Sequence, residues 1–175
     1  GQPRTMKGGC IHHDLGILGA ADHAAAERRR IRLMKESGFD AIRAAHNPFG
    51  PAFLNACDEL GMLVVEEAFD EWVMGRTSFG LHVTFEQCWE KDLEDMITRD
   101  YNHPCIVMWS TGNEVEERDG TADGFAWAKR LADKVRSLDA SRPVSATACA
   151  LFSEYGNRPA GGTTGNQALN MAYDT

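Results

Sequence analysis

Five short apolar runs, each followed by a stretch of another character, constrain this chain more than anything else in it. The runs are KGGCI (residues 7–11), DAIRA (40–44), MLVVEE (62–67), CIVMW (105–109) and PVSAT (143–147). Between them lie segments with helical spacing. Residues 24–37 form one, with Asp22 as its expected N-cap and Gly38 as its stop. Residues 51–60 form a second, with Pro51 in the first turn and Gly61 at the end. After the Thr-x-x-Gln capping pattern at Thr84, apolar Phe85, Trp89, Leu93, Met96 and Ile97 recur every three or four positions, up to Tyr101. A last helix over 123–138 puts Phe125, Ala128, Leu131, Ala132, Val135 and Leu138 on one side, leaving Trp127 half-buried on another. The fourth strand is expected over 106–109.

Continuous apolar strands alternating with amphipathic helices mean a parallel sheet covered by helices. A doubly wound dinucleotide-binding sheet calls for Gly-x-Gly-x-x-Gly after its first strand, and HHDLGILGA supplies only Gly16 and Gly19 in another pattern. Polar residues instead gather just past the strands: His12, His13 and Asp14; His46 and Asn47; Glu66, Glu67, Asp70 and Glu71; Asn113 and Glu114. Barrel active sites are assembled from strand C-termini in this way. The expected fold is therefore α/β, a (β/α)8 TIM barrel represented by about its first five units, since eight take about 250 residues. Residues 1–175 read as one partial domain, with a leading segment (1–6) and a Gly-, Asn- and Thr-rich tail (148–175) expected as loop. An open barrel leaves edge strands unpaired, so homo-oligomerisation is expected.

The net charge of -8 argues against nucleic acid or an anionic membrane as partner. No apolar run approaches the ~20 residues of a membrane span. The chain opens on Gly1 rather than Met and reads as a piece of something longer. Its compartment is left open. Five scattered cysteines, an odd number without a Cys-x-x-Cys pair, are expected as free thiols, with Cys10, Cys57 and Cys105 beside apolar segments and buried.

Glu114 is the foremost candidate for chemistry. It follows an apolar strand, next to Asn113, and an acid at a barrel mouth can protonate a leaving group; the plainer alternative is a solvated loop charge. Of the acidic cluster at 66–71, one member is expected to meet ligand and the others to be loop charges or pairs for Arg43 and Arg76. A catalytic metal is not favoured. His12 and His13 are adjacent, so they point to opposite faces of a strand.

Three stretches resemble glycoside hydrolase family 2, the group of β-galactosidases, β-glucuronidases and β-mannosidases. They are NHPCIVMWSTGNE (102–114), IRAAHNPFGPAFLNACDELGMLVVEEAFDEW (42–72) and KGGCIHHD (7–14), in family order, and the likeness covers about residues 7–146. The resemblance implies retaining hydrolysis of β-glycosidic bonds, β-galactosidase-like, on a carbohydrate substrate and without an organic cofactor. It makes Glu114 the general acid/base and Asn113 the amide that hydrogen-bonds the sugar 2-hydroxyl. Arg43 corresponds to an arginine supporting the nucleophile, and His12 and His46 to positions that contact the sugar. The family nucleophile is a Glu on strand seven, expected beyond this chain; Glu154 does not take its place. Some β-galactosidases of the family bind magnesium through a Glu and a His after strand three. Glu71 holds the Glu position, but Val73 stands where the His would be, so no metal is expected there. A non-catalytic carbohydrate-binding barrel is the alternative.

Overall fold

The computed structural model describes residues 3–119 and 121–147; the expected loop tail lies outside the described residues. Five strands alternate with four α-helices: β1 (Gly8–His12), α1 (Ala24–Glu36), β2 (Ala41–Ala45), α2 (Pro51–Leu60), β3 (Leu63–Glu67), α3 (Phe85–Asp100), β4 (Ile106–Asn113), α4 (Gly124–Leu138) and β5 (Val144–Thr147). All pairings are parallel and the spatial order is β1-β2-β3-β4-β5. A doubly wound sheet reverses its strand order at a switch point. This one never does, so every strand C-terminus lies at the same end of one continuous arc, as in a barrel.

One face of the arc carries the helices. Ile42 and Val64 of the sheet meet Ile31, Phe53, Leu54, Leu93, Ile97 and Leu131, all essentially inaccessible to solvent. The alternation of strand side chains sends the other residues of each strand to the concave face. Trp109 goes to the helical side, where its Nε1 donates to Asp139 Oδ2 at 2.8 Å. Asp139 is fully buried but keeps its charge. Against the desolvation that disfavours it, hydrogen bonds from Ser141, Trp109 and Arg142 hold its carboxyl well below the usual range.

Several local expectations are corrected. Strand β4 does not stop at Trp109 but runs through the polar residues to Asn113, because those side chains find buried partners across the sheet. Asp22 does not cap α1; its Oδ2 instead accepts the Ala52 N–H of α2 at 3.0 Å, from 30 residues away. Thr84 occupies the N-cap position of α3 without a side-chain cap, its hydroxyl turned to the Leu81 carbonyl. Trp127 is buried because α3 covers it, with Phe85 and Trp89 rings 5.2 and 5.7 Å away, while Phe125 is left exposed. Cys10 is exposed because it points to the open concave face of the edge strand, its Sγ 3.5 Å from Arg43 Nη1, whereas Cys57 and Cys105 are buried free thiols as expected.

Gly112, near the end of β4, is needed for close approach. A Cβ there would lie 2.9–3.0 Å from the indole of Trp72, which is fully buried and donates Nε1–H to Thr111 O at 2.9 Å. Gly112→Ala is expected to lower stability by about 1–3 kcal/mol through this overpacking, read as a reduced urea midpoint.

Candidate active site

Residues in and just past β2, β3 and β4 deliver one polar network to the concave face. Its hub is Glu67, the final residue of β3 and fully buried. Arg43 of β2 grips it with a fork, Nε 3.0 Å and Nη2 2.7 Å from Oε2, with Nη2 also 2.9 Å from Oε1. Ser110 Oγ donates to Oε2 at 2.7 Å, and His46 Nδ1 lies 2.8 Å from Oε1. A buried carboxylate is tolerated only when its lone pairs are filled in this fashion.

Arg43 Nη2 also donates to Asn113 Oδ1 at 2.7 Å, and Asn113 Nδ2 donates to Asp70 Oδ1 at 2.8 Å. A guanidinium only donates and a carboxylate only accepts, so the two ends of the amide are fixed without ambiguity. Among the described residues, one of the two Nδ2 hydrogens is used by Asp70, which leaves the other for a ligand.

Glu114 follows directly, half-buried, with a φ of +46°. A non-glycine residue in this left-handed region costs on the order of 1–3 kcal/mol and persists only where its surroundings impose it. Its carbonyl accepts from Arg76 Nη2 at 2.8 Å and from Arg118 Nη1 at 3.2 Å. No partner of its carboxyl is found among the described residues. His12, at the end of β1, meets the His46 ring edge-on, centroids 5.1 Å apart. His13 turns the other way and stacks on Phe49, as adjacent strand positions require. The five residues singled out from sequence (His12, Arg43, His46, Asn113 and Glu114) thus line one end of the arc. Glu67 joins three of them through direct hydrogen bonds or a shared donor: Arg43, His46 and, by way of Arg43, Asn113.

Sequence reasoning missed the hub role of Glu67, and with it Ser110. The signal was present in the pair Glu66–Glu67, because neighbours on a strand must face opposite ways and only one can reach Arg43. The expected division of the acidic cluster holds in part: Glu67 pairs with Arg43, and Asp70 with Arg76. Glu71 instead accepts the backbone N–H groups of Arg76 and His82 and sits 3.1 Å from His82 Nδ1. It is committed to the fold of its own loop, and Val73 offers no ligating atom, so the donors for the magnesium site of the resembled β-galactosidases are not assembled. One group among the described residues has metal-like spacing: Asp58, His103 and Cys105, at the opposite, N-terminal end of β4. There Asp58 is already engaged, receiving the Cys105 N–H at 2.8 Å and lying 2.6 Å from His103 Nδ1, and burial pushes the Cys105 thiol up.

Glu66, the outward member of the pair, accepts the Phe49 N–H at 2.7 Å; its Oε2 has no partner among the described residues. Burial raises its pKa from 4.5 to about 8. A group whose folded pKa is raised stays protonated in the folded state while the unfolded chain ionises. Stability should therefore fall as pH climbs from 4.5 towards 8, by on the order of 3 kcal/mol at neutral pH. Glu66→Gln should flatten that slope in urea midpoints measured from pH 4 to 8.

Beside the network, the loops after β2 and β3 and one face of α3 border an open cavity of about 670 Å3, lined in part by His46, Asp70, Glu71, Arg76, Thr77 and Arg99.

Comparison with known proteins agrees with this geometry. Residues 1–156 match the TIM barrel domain of the glycosyl hydrolases family 2. The β-galactosidase BoGH2A of Bacteroides ovatus is 37% identical over 176 residues, covering 83% of this chain and 21% of that protein. A crystal structure of a glycosyl hydrolase family 2 member from Bacteroides cellulosilyticus superposes with a TM-score of 0.85 at 40% identity, over 97% of this chain and 20% of the other. A family 2 β-galacturonidase from Eisenbergiella tayi, bound to galacturonate, gives a TM-score of 0.72 at 32% identity, over 82% of this chain and 25% of the other. The chain spans about a fifth of the length of the first two. With the strand order, the strand-end placement of the polar residues and a match over most of its length, this chain belongs to glycosyl hydrolase family 2 and forms part of its TIM barrel domain.

Proposed function

We propose that the protein containing this chain hydrolyses β-glycosidic bonds with retention, in the manner of a β-galactosidase, and that Glu114 is its general acid/base. In the first step Glu114 gives its proton to the glycosidic oxygen as the C–O bond breaks, and a second carboxylate forms the glycosyl ester. In the second, Glu114 takes a proton from water as the water oxygen replaces that ester at the anomeric carbon. The nucleophile is assigned to a Glu on strand seven, outside the five strands described. Retaining chemistry places its carboxyl about 5–5.5 Å from that of Glu114. Arg43 is assigned to its support, and His12 and His46 to the sugar hydroxyls.

The observation that carries this reading is the amide of Asn113, locked between Arg43 and Asp70 with an N–H to spare, immediately before Glu114. A hydrogen bond from such an amide to the sugar 2-hydroxyl strengthens as the anomeric carbon gains positive charge. A rigid donor supplies it without reorganisation at the moment of reaction.

The test is to incubate the whole enzyme with aryl β-galactosides, β-galacturonides and β-glucuronides and follow the released sugar by proton NMR. The β-anomer should appear first and only later mutarotate. First appearance of the α-anomer, or no turnover of any glycoside despite saturable sugar binding, would overturn the proposal; the latter favours a carbohydrate-binding barrel.

A further inference from the structure

We propose that Arg76 is a positioning residue for Glu114, holding from a separate loop the left-handed turn that aims the acid. This rests on the assignment of Glu114 as acid/base.

The backbone at Glu114 holds a non-glycine residue in the left-handed region, a conformation it would not choose, φ +46°. The side chain of Glu114 follows that backbone, so whatever fixes the turn fixes the direction of the carboxyl. Arg76, on the loop between β3 and α3, supplies the fixing. Its Nη2 donates to the carbonyls of both Asn113 and Glu114, bracketing the turn, while Nη1 donates to Asp70 Oδ1 at 2.9 Å. Asp70 Oδ1 in turn accepts from Asn113 Nδ2, which closes a ring: guanidinium to carboxylate, carboxylate to amide, and the carbonyl of the same asparagine back to the guanidinium. The base of the Arg76 chain is tied down as well, its own N–H donating to Glu71 Oε2 at 3.0 Å.

Arg118 also reaches the Glu114 carbonyl, but from four residues along the same segment, together with the Val115 carbonyl at 2.9 Å. It can move with the turn. Arg76 is 38 residues away and anchors the turn to the loop that follows β3. A planar guanidinium sets its donors on separate nitrogens in a rigid fork, so Nη1 reaches Asp70 while Nη2 reaches the two carbonyls; a lysine has a single nitrogen on a flexible stem and cannot reproduce that spread. Proton transfer depends on placement, and a shift of about 1 Å at the reacting group costs about 10²-fold.

Acid assistance matters for poor leaving groups and hardly at all for activated ones, and that difference separates positioning from general damage. In the whole enzyme, Arg76→Met should lower kcat/KM about 10²-fold on an alkyl β-glycoside while leaving the dinitrophenyl glycoside of the same sugar within about threefold. Arg76→Lys should show the same selectivity and carries the test alone if the methionine variant does not fold. Combining Arg76→Met with Glu114→Ala should cost no more than Glu114→Ala by itself, because both act on one proton transfer.

Equal losses on both substrates, no loss on either, or additive losses in the double variant would overturn the proposal. Glu114→Ala run in parallel keeps the two assignments apart. If it lacks leaving-group selectivity, the acid/base assignment itself fails. If it has that selectivity and the Arg76 variants do not, only the positioning role is lost.

Discussion

Glu114→Ala in the whole enzyme should lower kcat/KM by about 10²–10⁴-fold on glycosides with poor leaving groups and only slightly on dinitrophenyl glycosides. The asymmetry follows from what the residue is assigned to do. An alkoxide departs only with a proton, whereas a dinitrophenolate departs without one, so only the first substrate feels the missing acid. With the activated substrate the second step becomes limiting, since water then lacks its base. Azide, which needs no deprotonation, should restore turnover and leave a β-glycosyl azide. Kinetics on a leaving-group series, with and without azide, check this. A variant that loses all substrates equally, or gives no azide product, would place the acid elsewhere.

The second large effect is expected at Arg43. Its fork supplies most of the hydrogen bonds that make the fully buried Glu67 tolerable, and its Nη2 also orients Asn113. Arg43→Ala leaves a carboxylate without its cation at the centre of the sheet. A broken buried pair of this kind costs about 3–5 kcal/mol, and the urea midpoint should fall accordingly. Removing both charges, as Arg43→Met with Glu67→Leu, should recover much of that stability, because the penalty belongs to the uncompensated charge and not to a missing attraction. Activity should not recover with it, since Asn113 would still lack the donor that fixes its amide. If the double variant is as unstable as the single one, the pair does not account for the cost. If it regains activity, the orientation of Asn113 does not matter to turnover.

Some of this is legible in the amino-acid sequence alone. Strand–helix alternation, the polar residues after each run, and the helix signals at Pro51 and Gly61 carry the fold class and the end of the sheet where the site lies. They do so because periodicity and backbone preference act over a few residues. The misplaced details have a common origin in distance along the chain. Asp22 reads as the cap of the helix that follows it but serves the next helix along, since α1 and α2 pack side by side. Trp127 falls off the apolar stripe of α4 yet is buried, because α3 covers it. Strand β4 looks finished at Trp109, where its hydrophobicity ends; it continues because Glu67 on the neighbouring strand and Arg43 on the strand beyond it meet Ser110 and Asn113.

The candidate site divides along the same line. That His12, Arg43, His46, Asn113 and Glu114 share one end of a barrel follows from sequence, since parallel strands of alternating pattern must put their exits together. Which carboxylate of the pair Glu66–Glu67 turns inward is a matter of register, and register is set by how β3 meets β2 and β4. Likewise, nothing in the sequence around Glu114 requires a left-handed backbone there. That turn is imposed by guanidinium groups, one of them reaching over from the loop after β3. The sequence by itself determined the barrel arc and the roster of polar groups at its mouth, through local rules of a few residues' reach. Only the tertiary structure decided the hub, the orientation of the Asn113 amide and the geometry of Glu114, because those depend on hydrogen bonds between strands and loops as much as 21 to 70 residues apart.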